Sequence, residues 1–79
     1  MTYTVYSKNG CVYCEKIKAL LTIAEVRFVE LKLDRDFDRK QFVSRFGAGS
    51  TFPHVLDGES NQLGGAADTA KHLKEQGLL

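Results

Sequence analysis

Long apolar runs are missing from this sequence, and without a stretch of about 20 such residues no helix can span a bilayer. The N-terminus, Met1-Thr2-Tyr3-Thr4-Val5-Tyr6, likewise lacks the basic segment and apolar core of a secretory leader. A soluble, cytoplasmic protein with no membrane partner is the expectation. An excess of charge of either sign is missing too: eleven basic side chains stand against ten acidic ones, for a formal net charge of +1. That balance offers nucleic acid no electrostatic attraction. Proline occurs once, at Pro53, and neither repeats nor low-complexity linkers divide the chain. Its 79 residues are therefore expected to form one domain over 1–79. A hydrophobic content of 43% suffices for a small core.

Cysteine is scarce as well, with only Cys11 and Cys14. A bridge between positions three apart closes a loop too short to remove much unfolded-chain entropy. Small secreted domains instead use several bridges between distant segments, so a lone C-x-x-C pair points to redox or metal chemistry. A structural zinc site requires four ligands, and beyond the cysteines the chain offers only His54 and His72, without a paired spacing. No metal is expected.

What is present is strongly patterned. Thr2 to Ser7 combines β-branched and aromatic residues before the Asn9-Gly10 turn signal, as a strand feeding a loop does. From Tyr13 to Ala24, Ile17, Leu20, Leu21 and Ala24 recur at helical spacing while Glu15, Lys16, Lys18 and Thr22 fall on other faces. Val26 to Leu33 switches to period two, Val29, Leu31 and Leu33 alternating with Glu30 and Lys32. A second helix carries Phe37, Phe42, Val43 and Phe46, with Asp34 or Asp36 as cap and Gly47 as a left-handed terminator. Phe52 to Leu56 reads as a short strand, Asp57-Gly58 as a hairpin turn and Gln62-Leu63-Gly64 as the returning strand. Asp68 to Gln76, with apolar Ala66, Ala70 and Leu73 before Gly77, closes the chain as a helix. The order β-α-β-α-β-β-α predicts an α/β fold: a four-stranded mixed sheet and three helices, with a right-handed parallel unit first, an antiparallel hairpin last, and helices on both faces.

The C-x-x-C pair falls between the first strand and the first helix. A thiol attacks a disulfide only as thiolate, so a useful cysteine needs surroundings that favour negative charge. At the helix start Cys11 meets free backbone N–H groups and the positive end of the helix dipole. Lys8 adds a cation three residues earlier. Cys14, one turn on, is near enough to attack a mixed disulfide on Cys11 but further from the helix end. Cys11 is expected to be the nucleophile, with a depressed thiolate pKa, and Cys14 the resolver.

Three motifs in order resemble the glutaredoxin family of the thioredoxin-like fold. Cys11-Val12-Tyr13-Cys14 is similar to its C-P-Y-C site, Thr51-Phe52-Pro53 to its T-V-P segment, and Gly64-Gly65-Ala66-Ala67-Asp68 to its G-G-x-x-D segment. The resemblance implies a dithiol glutathione-disulfide oxidoreductase, acting on protein disulfides and glutathione mixed disulfides, with ribonucleotide reductase among the recipients and the monomer as working form. It implies a cis Pro53 facing the cysteines and a Phe52 backbone that pairs with the cysteinyl part of glutathione, with Thr51 beside it. Gly65, Ala66, Ala67 and Asp68 would grip the γ-glutamyl end at a helix start. In isolation Asp68 also reads as a helix cap. Lys8 and either Arg39 or Lys40 would meet the glycine carboxylate, and Tyr13 would wall the groove. Val12 replaces the family's proline, Phe52 its smaller valine, and Ala67 lacks the polar side chain often found there, which implies fewer glutathione contacts. Val12 and the short chain are similar to phage glutaredoxins, and Gly47-Ala48-Gly49-Ser50 is longer than the family norm. Two further readings follow from the resemblance: a donor reduced by thioredoxin reductase, and an iron-sulfur carrier in which two copies share a cluster through Cys11 and glutathione.

Overall fold

The computed structural model describes residues 2–79; Met1, the first residue of the expected 1–79 domain, lies outside them. Seven elements follow in the order β1 (Tyr3–Ser7), α1 (Val12–Ile23), β2 (Phe28–Lys32), α2 (Arg39–Phe46), β3 (His54–Leu56), β4 (Gln62–Gly64) and α3 (Ala66–Glu75). The strands form one mixed sheet in the order β2-β1-β3-β4. β1 runs parallel to β2, with Tyr3 opposite Phe28 and Ser7 opposite Lys32, and antiparallel to β3, with Tyr6 opposite His54. β4 returns antiparallel along β3. This is the α/β, thioredoxin-like arrangement of a four-stranded mixed sheet and three helices that the sequence predicts.

Alternation along β1 divides the core. Tyr3 and Val5 point to the face covered by α1 and α3, where they meet Ile17, Leu21, Val55 and Leu73. Tyr6 points to the opposite face, where Phe42 of α2 and Leu56 close over it, with Leu31, Phe37, Phe46 and Phe52 around them. The second cluster is almost wholly aromatic. Tyr6 meets Phe37 and Phe46 edge to face at centroid separations of 5.1 and 5.0 Å, and Phe42 stacks on Phe52 at 4.6 Å. Such pairs add about 0.5–1.5 kcal/mol each beyond the area they bury.

Four local expectations need correction. The cap of α2 is Asp38, neither Asp34 nor Asp36: its carboxylate accepts from the Gln41 N–H at 2.7 Å, and the Gln41 side chain accepts from the Asp38 N–H at 2.9 Å. Asp36 is otherwise engaged, accepting from the Lys32 N–H, while Phe37 makes a bridge to Leu33 that postpones the helix. Gly47 has a positive φ of 97° but ψ of 154°, so it leaves the helix into extended backbone rather than a left-handed turn. The β3–β4 hairpin is longer than an Asp57-Gly58 two-residue turn. Asp57 accepts from the N–H groups of Glu59 and Asn61, and the positive φ falls on Ser60. Finally β3 starts at His54, because the Phe52-Pro53 segment leads into the sheet without pairing in it.

Candidate functional site

Topology brings the three motifs to one end of the sheet. The end of β1 lies beside the start of β3, because Tyr6 pairs with His54. The end of β4 lies beside the same start, because Gly64 pairs with Val55. The β1–α1 loop, the segment before β3 and the first turn of α3 therefore converge. Gly10, with φ of 71°, supplies the left-handed residue that turns the chain into α1.

Cys11 is the N-cap of α1, in extended conformation, and its Sγ accepts the Cys14 N–H at 3.1 Å. The two cysteines are joined in a disulfide, with Cα atoms 5.2 Å apart. Their surroundings differ sharply. Cys11 is partly exposed, between the exposed Gly10 and Val12, whereas Cys14 is 1% exposed on the inward face of α1 with Ile17 and Leu21. An anion at the Cys11 sulfur would be met by unsatisfied first-turn amides, while one at Cys14 would be buried.

The remaining sequence-derived site residues fall into two groups. Brought together are Lys8, Tyr13, Phe52, Pro53, Gly65, Ala67 and Asp68. The Lys8 Nζ stands 5.9 Å from the centre of the Phe52 ring. The Phe52-Pro53 peptide is cis and Pro53 is buried. Gly65 backs onto Pro53 closely enough that a side chain there would begin 3.7 Å from the Pro53 carbonyl oxygen. Tyr13 is 61% exposed beside Cys14, with the Lys16 Nζ 5.1 Å from its ring centre. Gly65 caps α3 with no side chain bonded to its amides, leaving the first turn through Ala67 and Asp68 open. The carboxylate of Asp68 lies against Gly64, 2.6 Å from where a Cβ would stand at that residue's φ of 108°. Arg39 and Thr51 form the second group. Both are exposed, and neither side chain makes a hydrogen bond or ion pair among the described residues; Arg39 simply opens α2.

One cluster escaped the reading of the sequence. Lys18 and Glu30 sit at positions that periodicity assigns to solvent, yet each side chain is only 20% exposed and they pair at 2.9 Å. The fully buried Ser7 hydroxyl donates to the same Glu30 oxygen at 2.8 Å, and Lys18 also reaches Glu15 at 3.0 Å. Burial works to raise the Glu30 carboxyl, but hydrogen bonds from Lys18 and Ser7 outweigh it and the group is held below its ordinary value. The element order carried a partial signal: α1 connects β1 to β2 and packs back on the sheet, so the Glu30 side of β2 meets that helix through Lys18. Val29, assigned to the core by alternation, is 48% exposed, and the apolar burial on its side of the strand falls to Leu31.

A family model described as Glutaredoxin matches residues 3–60. The chain belongs to the glutaredoxin family. Among similar proteins, Glutaredoxin 3 of Escherichia coli K12 is 30% identical over 64 residues, covering 81% of this chain and 76% of that protein. Glutaredoxin-C2 of Arabidopsis thaliana is 33% identical over 78 residues, covering 95% of this chain and 68% of that one. A buckwheat glutaredoxin solved in complex with glutathione superposes with a TM-score of 0.77 at 25% identity, over 96% of this chain and 71% of its own. Glutaredoxin 1 of Francisella tularensis shares the fold with a TM-score of 0.76 at 24% identity, over 98% of this chain and 95% of its own. Glutaredoxin family membership, together with a C-x-x-C pair that closes a disulfide, makes this chain a thiol-disulfide oxidoreductase. Among the described residues no group of three or more metal-binding side chains gathers, and no helix is long and apolar enough to cross a membrane.

Proposed function

We propose that this glutaredoxin is a cytoplasmic, single-domain, monomeric reductant of protein disulfides and glutathione mixed disulfides, with glutathione as its source of electrons. The unequal exposure of the two sulfurs carries the reading: Cys11 is open at the helix start and Cys14 is covered. Cys11 as thiolate attacks one sulfur of a protein disulfide, forming a mixed disulfide and expelling the other sulfur as a thiolate that takes a proton from solvent. Cys14 then gives up its proton and attacks the Cys11 sulfur, closing the Cys11–Cys14 disulfide and releasing the reduced protein. Two glutathione thiols restore the dithiol, the first forming a mixed disulfide on Cys11, the second leaving with it as glutathione disulfide.

The groove beside Cys11 has groups suited to glutathione. Phe52 offers backbone ahead of Pro53 for strand-like pairing, with Thr51 next in line. The open first turn of α3 at Gly65, Ala67 and Asp68 suits the γ-glutamyl carboxylate, and the Asp68 carboxylate its amine. Lys8 and either Arg39 or Lys40 are the cations for the glycine carboxylate, and Tyr13 forms a wall. The buckwheat relative was solved with glutathione bound, which supports this assignment. Ribonucleotide reductase is a recipient whose disulfide fits this chemistry.

The deciding experiment is turnover of a mixed disulfide between glutathione and a small thiol, coupled either to glutathione and glutathione reductase or to thioredoxin reductase. Turnover with the glutathione couple, abolished by Cys11→Ser, is the expected result. Turnover with thioredoxin reductase alone would overturn the glutathione assignment, and brown colour with a visible absorption band on purification would point to cluster carriage instead.

A further inference from the structure

On the α2 side of the sheet the aromatic cluster does not close completely. A cavity of about 180 Å³ remains there, walled by the rings of Tyr6, Phe37, Phe42 and Phe46, with Arg45 and Asp36 also in its lining. No residue assigned to the glutathione groove lines it. Arg45 belongs to the last turn of α2, where a cation complements the helix end. That role would leave its head free in solvent. Instead the guanidinium carbon stands 5.0 Å from the centre of the Phe46 ring and 5.9 Å from that of Tyr6, and one N–H donates to the Tyr6 hydroxyl at 2.7 Å. A guanidinium has several further donors, and among the described residues no carboxylate pairs with this one. The Tyr6 hydroxyl accepts from Arg45 and so keeps its own proton, which it gives to no acceptor among the described residues. Asp36, the one carboxylate in the lining, is already matched by Arg35 at 2.7 Å and by the Lys32 N–H at 2.8 Å. Spare donors for an anion thus stand at the edge of an aromatic slot.

We propose that this cavity is a binding site for a small aromatic carboxylate, its ring held among Tyr6, Phe37 and Phe46 and its carboxylate on the Arg45 guanidinium and the Tyr6 hydroxyl. Size sets one limit. The cavity of about 180 Å³ is smaller than the roughly 300–1,000 Å³ of pockets that take drug-sized ligands, so it suits a single ring with a short substituent and excludes a nucleotide. Chemistry sets the other. A bare inorganic anion would satisfy Arg45 but leave the rings facing water, and a neutral aromatic would fill the slot but leave the guanidinium without an acceptor. An aromatic carboxylate does both, since rings pack edge to face and offset and a guanidinium takes a carboxylate through two parallel hydrogen bonds. The site is separate from the sulfur chemistry and stands whichever reductant restores the Cys11–Cys14 dithiol.

The test is titration of the whole, oxidised protein with benzoate, and separately with benzamide as its uncharged counterpart, followed by amide and aromatic NMR shifts. Benzoate is expected to produce saturable shifts at Phe37, Phe42, Arg45 and Phe46, and to bind about ten-fold more tightly than benzamide, as a charge-assisted hydrogen bond implies. Arg45→Met keeps the packing stem but removes the guanidinium, and should bring benzoate down to the affinity of benzamide. Because Arg45 is exposed, this variant places little demand on folding. Arg45→Lys retains the charge without the planar fork and should fall between the two. Tyr6→Phe keeps the ring and removes the hydroxyl, and should weaken benzoate more than benzamide. Equal affinity for the two probes in the unaltered protein, benzoate binding untouched by Arg45→Met, or shifts confined to Tyr13, Gly65 and Asp68 would each overturn the proposal; the last would place the anion in the glutathione groove instead. Turnover with the glutathione couple is measured separately, and its failure would leave this site standing.

Discussion

At Cys11 and Cys14 one local geometry produces two different sulfurs. Both belong to the opening of α1, but an N-cap projects beyond the helix while a residue one turn later on the apolar stripe is driven under it. Replacing Cys14 by Ser should therefore leave glutathione mixed disulfides reducible through Cys11 while reduction of protein disulfides falls by an order of magnitude or more, a contrast that paired assays of the two substrates would show. Gly64 is as constrained as either cysteine. Its φ of 108° disfavours any side chain, and a Cβ would meet the Asp68 carboxylate at 2.6 Å. Gly64→Ala should cost about 1–3 kcal/mol in chemical denaturation and, by displacing Asp68, raise the KM for glutathione several-fold with kcat less affected. An unchanged KM would remove Asp68 from the proposed groove.

Among the elements, α2 shows most clearly how its ends and its inward face do different work. Its eight residues are too few to be helical in isolation, so the capping box at Asp38 and Gln41 and the burial of Phe42 supply what propensity does not. Asp38→Ala should destabilise the protein by about 1 kcal/mol, within the 0.5–2 kcal/mol usual for a lost cap, measured by urea unfolding. Phe42 matters more, because it joins Tyr6 of the sheet to Phe52 at the edge of the groove. Phe42→Ala should cost roughly 3–5 kcal/mol and loosen the segment before β3. α1 and α3, packed on the opposite face, should respond less, which amide exchange resolved by residue would reveal.

For the whole molecule the sensitive quantity is stability toward acid. His54 is 7% exposed, its Nε2 3.1 Å from the Gln62 side-chain oxygen and its ring packed on Phe46 at 4.3 Å. Burial pushes its pKa below the ordinary 6.5, with Arg45 nearby adding to the effect and the Gln62 hydrogen bond opposing it. In the pH interval below 6.5 the unfolded chain thus binds a proton at this position that the folded one refuses. Its contribution is complete above that value and is lost as pH falls toward the lowered folded pKa. Glu30, held low in the fold, loses its contribution in the same direction at more acid pH, below the ordinary carboxylate value of 4.5. Thermal unfolding should show Tm declining from just below pH 6.5, and His54→Phe should flatten the first part of that decline while leaving the carboxylate part in place.

The site's sulfurs, the element order and the apolar face of α1 were legible without coordinates, because each is set by spacing or composition within a few residues: C-x-x-C at a helix start, a 3.6-residue stripe, β-branched and aromatic runs bounded by turn signals; the alternation read in β2 held only in part, since Val29 is 48% exposed. Lengths of turns were less so, since the Asp57 side chain and the Leu33–Phe37 bridge, rather than the dipeptides nearby, settle where the hairpin opens and where α2 begins. What the linear order could not decide was which charged residues meet. Lys18 and Glu30 are twelve positions apart and look solvent-facing in their own elements; they are partners only because β2 lies parallel to β1 under α1, where both become mostly covered and a charge without a counter-charge would be too costly to keep. Local periodicity determines which side of an element is apolar, and packing in three dimensions determines which polar groups must find one another.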